Sequence, residues 1–220
     1  MSVSYGSILT SGPPRLRGWL HAGIFPLSVA AGAALVAVAD TASARISCAV
    51  YAATAALLFG VSALYHRGRW SPRATRLLRR LDHASIFLII AGTYTPFAVL
   101  LLDGSAQLVL LSVVWVGALA GSTFRILWLG APRWLYTATY IALGWTAAFF
   151  VPAFVTAADL SVLALAAGGG LLYSAGALVY AIRRPDPWPH WFGYHEVFHA
   201  CTLAAYVAHY AGVSLLLAGG

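Results

Sequence analysis

His195 and His199 stand four residues apart in the stretch Gly193-Tyr194-His195-Glu196-Val197-Phe198-His199, which opens the last long apolar run of the chain. On a helix, a spacing of four is about 40° of rotation and roughly 6 Å of rise, so both imidazoles leave one face. Two neutral imidazoles on one face suit a divalent transition metal, zinc most commonly. A structural zinc takes four protein ligands and a catalytic one about three, so partners must come from elsewhere in the chain.

The elements that must supply them are membrane spans. Of the 220 residues, 61% are hydrophobic and only 9% charged, where a soluble domain carries about 25% charged residues. The mean hydropathy is +0.82. An ordinary soluble fold is excluded. Seven apolar runs are each long enough to cross a hydrocarbon core: Trp19–Ala39, Ile46–Tyr65, His83–Leu102, Ala106–Leu129, Trp134–Val155, Leu160–Ile182 and Glu196–Ala218. The expected fold is all-α, a seven-transmembrane helix bundle forming one domain over residues 19–220, after an N-terminal cytoplasmic segment, 1–18. The first span precedes small residues at Ala42-Ser43-Ala44, as a signal peptide would, but Pro26 interrupts it and its basic lead-in is long, so it reads as a retained helix.

All thirteen basic residues are arginines, giving a net charge of +7. Twelve of them fall on one face of the predicted bundle: Arg15 and Arg17, the six between Arg67 and Arg80, Arg125 and Arg133, and Arg183 and Arg184. The opposite face holds Arg45 with Asp40, Asp103 and Asp159. The charge therefore speaks for topology rather than for nucleic acid. It predicts a cytoplasmic N-terminus and an extracytoplasmic C-terminus, in a multi-pass membrane protein whose partners are lipids.

That topology sorts the ionisable groups by depth. His66 ends the second span, Asp82 opens the third, and His195 and His199 open the seventh, so all four share the arginine-rich layer. Intramembrane ionisable groups commonly mark a site, and three imidazoles with a carboxylate can close one around zinc. Ser62 lies one turn from His66 on the same face, where it can bond a ligand or a water, or bond back to its own helix. Asp82 can also cap the third span, and the two roles are compatible. His83 points about 100° away from Asp82 and reads as interfacial, as does His190 in its Trp-Pro-His-Trp loop. His21, near the same end of the first span, is the best spare imidazole. His209 is about 15 Å from His199 along the helix, too far to share a metal. With Thr202 and Tyr206 it can line a cavity or bond between helices. Cys48 and Cys201 read as buried thiols, and Gly117 with Gly121, Gly170 with Ser174, and Ala30 to Ala34 as close-packing surfaces.

The segments Ser62-Ala63-Leu64-Tyr65-His66, Leu81-Asp82-His83-Ala84-Ser85, Ala91-Gly92-Thr93-Tyr94-Thr95-Pro96 and Gly193 to His199 together resemble the haemolysin III family. That family belongs with the progestin and adiponectin receptors and, more distantly, the alkaline ceramidases. The resemblance covers essentially the whole chain. It implies zinc held by His66, His195 and His199, with Asp82 and Ser62 acting through the bound water. Arg17 stands where many relatives carry an asparagine four residues before the first span's histidine, and relatives tolerate other residues in place of Glu196.

Several functions compete at this point. One is a zinc-dependent hydrolase of lipid amides or esters near the inner leaflet. A second is a non-catalytic, receptor-like or lipid-sensing protein of membrane homeostasis, its zinc stapling three spans. A literal reading of His-Glu-x-x-His gives an intramembrane protease with Glu196 as base, but no further ligand follows within reach. A cytolytic or channel role lacks a polar or charged pore lining.

Overall fold

The computed structural model describes residues 12–219; of the expected N-terminal segment, residues 1–11 lie outside them. The described chain is all-helical, with α1 Trp19–Val38, α2 Ala42–Arg67, α3 Pro72–Leu101, α4 Gly104–Leu127, α5 Arg133–Gly144, a 3₁₀ turn Trp145–Phe150, α6 Val151–Ala157, α7 Leu160–Ile182 and α8 Tyr194–Gly219. Taken with α5, the 3₁₀ turn and α6 as one span, seven helices are long and apolar enough to cross a membrane. The protein is a multi-pass integral membrane protein.

Local signals explain where the helices start. Thr41 accepts the Ala44 amide at 3.1 Å to cap α2, and Ser71 accepts the Ala74 amide at 3.3 Å to cap α3, with Pro72 in its first turn. The third helix therefore begins well before the predicted His83. Its first ten residues carry Arg73, Arg76, Arg79 and Arg80, which hide them from an apolar reading. Asp82 consequently lies three turns inside α3 and caps nothing, so the capping alternative does not hold. At the other end of α3, Gln107 donates to the carbonyl of Leu102 at 2.7 Å, an acceptor that the helix C-terminus leaves open, and to that of Ala98 at 3.2 Å, which also accepts the Leu102 amide.

The fifth span is broken where one straight helix was expected. Pro152 has no amide hydrogen, and its ring opposes the carbonyl four residues back. The turn of 3₁₀ before it is stabilised by Tyr94 of α3, whose hydroxyl donates to Gly144 O at 2.6 Å and accepts from Ala147 N at 2.8 Å. Backbone groups freed in hydrocarbon need such partners.

The helix α3 is the hub. One buried cluster joins it to α1, α2, α7 and α8 through Leu35, Tyr51, Phe59, Ile89, Phe97, Val162, Tyr206 and Val213. A second joins it to α4 and α5 through Phe87, Leu110, Val114, Tyr136 and Tyr140. Gly121 lies directly beneath the Phe87 ring, as the small-residue reading of α4 expects. The Gly170–Ser174 pair does not pack in that way: nothing approaches Gly170, and Ser174 accepts from the indole of Trp145 at 3.0 Å. Leu108, Val116, Leu119, Leu127, Trp134, Phe149 and Leu160 are exposed, and a surface this apolar is one that faces lipid.

Candidate metal centre

His66 sits in the last turn of α2, and His195 and His199 in the first turns of α8, all at the arginine-rich end of the bundle. One nitrogen from each of the three imidazoles lies within 4.8 Å of the others. The Nε2 atoms of His66 and His195 are 3.2 Å apart. Two nitrogens each about 2.05 Å from one tetrahedral zinc would stand about 3.3 Å apart, so the spacing suits a shared ion. The cluster could hold a metal ion.

Unpaired polar atoms gather around it. Ser62 Oγ, His199 Nδ1 and both nitrogens of His21 are buried and make no hydrogen bond among the described residues. Buried polar groups are seldom left unpaired, and an ion or ordered water is a usual partner where they are. Ser62 does not bond back to its own helix, so that alternative is not the one the fold adopts. The donor set is neutral nitrogen with hydroxyl and carboxylate oxygen close by, which fits zinc chemically.

Asp82 lies outside the group of three but lines the same cavity as Ser62, His195 and His199. Its Oδ2 is 3.3 Å from Nδ1 of His83. His83 is therefore buried against the carboxylate rather than interfacial, and its backbone carbonyl accepts from the Tyr140 hydroxyl at 3.0 Å. The continuous helix turns His83 toward α5, where Tyr136 packs on it edge-to-face.

Glu196, between the two histidines in sequence, points away from them. One carboxylate oxygen accepts the Gly193 amide at 2.9 Å, closing the first turn of α8 as a glutamate at the third helical position does. The other pairs with the Arg17 guanidinium. Asp186 accepts the next free amide, Tyr194 N, at 2.8 Å. Both oxygens of Glu196 are committed to structure, which removes the geometry that a protease base would need.

A cavity of about 550 Å³ opens from this layer and runs between α3, the broken fifth span, α7 and α8. Its polar end holds His21, Ser62, Asp82, His195 and His199, and its far end reaches Leu101, Phe154 and Val162.

A family model described as Haemolysin-III related matches residues 11–210. The chain belongs to the haemolysin III family. It is 34% identical to the Hemolysin-3 of Bacillus cereus over 64% of each chain. It is 32% identical to the Hemolysin-3 homolog of Bacillus subtilis (strain 168), over 74% of this chain and 73% of that one. A heptahelical transmembrane protein ADIPOR2 of Oryza sativa subsp. japonica is 31% identical over 67% of this chain and 71% of its own. The link to adiponectin receptors expected from the motifs is therefore present.

In this haemolysin III protein, two contributors to the site carry no motif. His21 stacks on His199, with ring centroids 3.8 Å apart. Gly18 has φ +78°, and a Cβ there would stand 2.5 Å from the Cβ of His66, so both backbone and space require glycine beside the cluster. Only the place of His21 at the right end of α1 hinted at its role.

Proposed function

We propose that the protein is a zinc-dependent hydrolase of lipid amides or esters, working at the arginine-rich face of the membrane. The observation that carries this reading is the cavity, which has one polar end at the histidine cluster and apolar walls along most of its length. A site of that shape takes an acyl chain and holds its polar linkage at the histidines. By the positive-inside rule that face is cytoplasmic, with residues 19–220 forming a single domain in a bacterial plasma membrane.

His66, His195 and His199 would hold the ion, leaving one position open. Zinc in such a site supplies a Lewis acid and an acidified water. The Asp82 carboxylate, beside His83, would accept a proton from the attacking water and return it to the leaving group. The Ser62 hydroxyl would donate toward the oxygen that gains charge. The apolar walls exclude bulk water and align the chain.

The staple reading, in which zinc merely ties spans together, is less well supported. The N-terminus of α8 is already fixed by Glu196, Asp186 and Arg17.

The test is release of fatty acid from a short-chain fluorescent ceramide and a matched ester by purified protein. Turnover by wild type with loss of at least about a hundredfold in Asp82→Asn, zinc retained, supports hydrolysis. Metal-loaded wild type without turnover on either substrate moves the weight to a lipid-sensing receptor.

A further inference from the structure

Ten residues beyond His199 on α8, about 15 Å further along the helix, a second polar cluster interrupts the apolar wall of the cavity. His209 is 7% exposed. It lies between Tyr173 of α7, with ring centroids 5.7 Å apart, and Phe97 of α3, at 5.9 Å. Its Nε2 is 3.0 Å from the carbonyl oxygen of Ala166. A carbonyl can only accept, so Nε2 carries the hydrogen, and in the neutral ring Nδ1 is left as an acceptor. That Nδ1 has no partner among the described residues, and neither does the Tyr173 hydroxyl or Thr93 Oγ1. All three side chains line the cavity. The fold leaves room for the imidazole, since a Cβ on Gly169 would stand only 2.4 Å from its Nε2.

One buried unpaired atom is commonly answered by a trapped water. Here three, from three different helices, belong to one apolar cavity. An imidazole acceptor with two hydroxyls, each able to donate and accept, suits a ligand hydroxyl. An anionic group is unsuited, because the Nδ1 lone pair would oppose its charge and no arginine lines the cavity. The geometry points to a second subsite, formed by His209, Tyr173 and Thr93, that binds a hydroxyl carried in mid-chain by a lipid whose head lies at the histidine cluster. The subsite rests on the reading that the cavity takes an acyl chain. A plain chain leaves the three groups unpaired, whereas a hydroxylated one satisfies them, which is worth about tenfold in affinity.

The experiment titrates purified protein calorimetrically with stearate and with a hydroxystearate hydroxylated in mid-chain. The Tyr173→Phe/Thr93→Val double variant is titrated alongside; it keeps both shapes and the His209–Ala166 bond, so it is expected to fold. Comparing affinity ratios between the two proteins cancels differences in micelle partitioning. The expected result is a preference of about tenfold for the hydroxylated acid in wild type, falling severalfold in the double variant, where only the His209 Nδ1 acceptor remains, with stearate affinity unchanged. Equal affinities in wild type, or a preference undiminished in the double variant, overturn the subsite (a trapped water only) and leave the acyl-chain reading standing. Binding of neither acid removes the acyl-chain reading, and the subsite with it.

Discussion

The imidazoles of His21 and His199 lie face to face, with centroids 3.8 Å apart and planes 9° from parallel. Phe59 closes on the edge of His21 at 5.1 Å. The ring of His21 therefore fixes the plane in which His199 can present a nitrogen. If the contribution is packing, His21→Phe will keep zinc affinity within about twofold, while His21→Ala will lower it about tenfold, the range for groups that orient ligands. Competition with a chromophoric chelator measures both. Equal losses in the two variants would mean that an imidazole nitrogen of His21 is itself needed.

Glu196 is 1% exposed and holds both Arg17 and the Gly193 amide. Arg17→Ala leaves that carboxylate buried without its cation, a loss of about 3 kcal/mol. Glu196→Gln keeps the cap and loses only the charge, so its cost is smaller. Both variants should lower the unfolding midpoint in detergent, yet bind zinc and retain turnover once folded. Abolished turnover in a folded, zinc-loaded Glu196→Gln would restore the protease-like role.

Tyr94 bonds two backbone groups at the break in the fifth span. Removing its hydroxyl takes one partner from a donor and an acceptor inside the membrane, which costs about 0.5–1.5 kcal/mol for each bond. In Tyr94→Phe, amide hydrogen exchange should therefore rise over residues 144–150 while the α2 and α8 amides stay protected. Uniform exchange across the bundle would contradict a local clasp.

Gly18 combines a left-handed backbone with contact against His66. Gly18→Ala is expected to cost about 1–2 kcal/mol from the backbone alone, and to displace His66 in addition. The prediction is weakened zinc binding in a protein that still folds, read by circular dichroism beside the chelator assay. Unchanged zinc affinity would show that His66 tolerates the shift.

The seven spans and the His66, His195 and His199 set were legible in the sequence because each rests on a short-range signal, either hydropathy over about twenty residues or a helical spacing of four. Span order then put the histidines at one depth. What escaped depends on contacts far apart in the chain. Arg17 and Glu196 are 179 residues apart, and no local pattern announces their pairing. Asp82 offers itself as a cap in the sequence because the arginines of the first turns of α3 hide a helix that Ser71 and Pro72 nevertheless announce. The break in the fifth span left its mark in Gly144 and Pro152, but the residues between them stay apolar, so hydropathy ran straight through.

The hydrolase reading requires one ion among His66, His195 and His199. The most direct measurement is metal content by mass spectrometry, with coordination by X-ray absorption, on wild type and on His199→Ala purified in parallel. The account predicts one zinc per wild-type chain, with three nitrogens and one oxygen at about 2.0–2.1 Å, and loss of that zinc in a variant that remains helical. A wild-type protein that takes up no zinc when offered it, or a His199→Ala variant that binds zinc as tightly, would contradict the account.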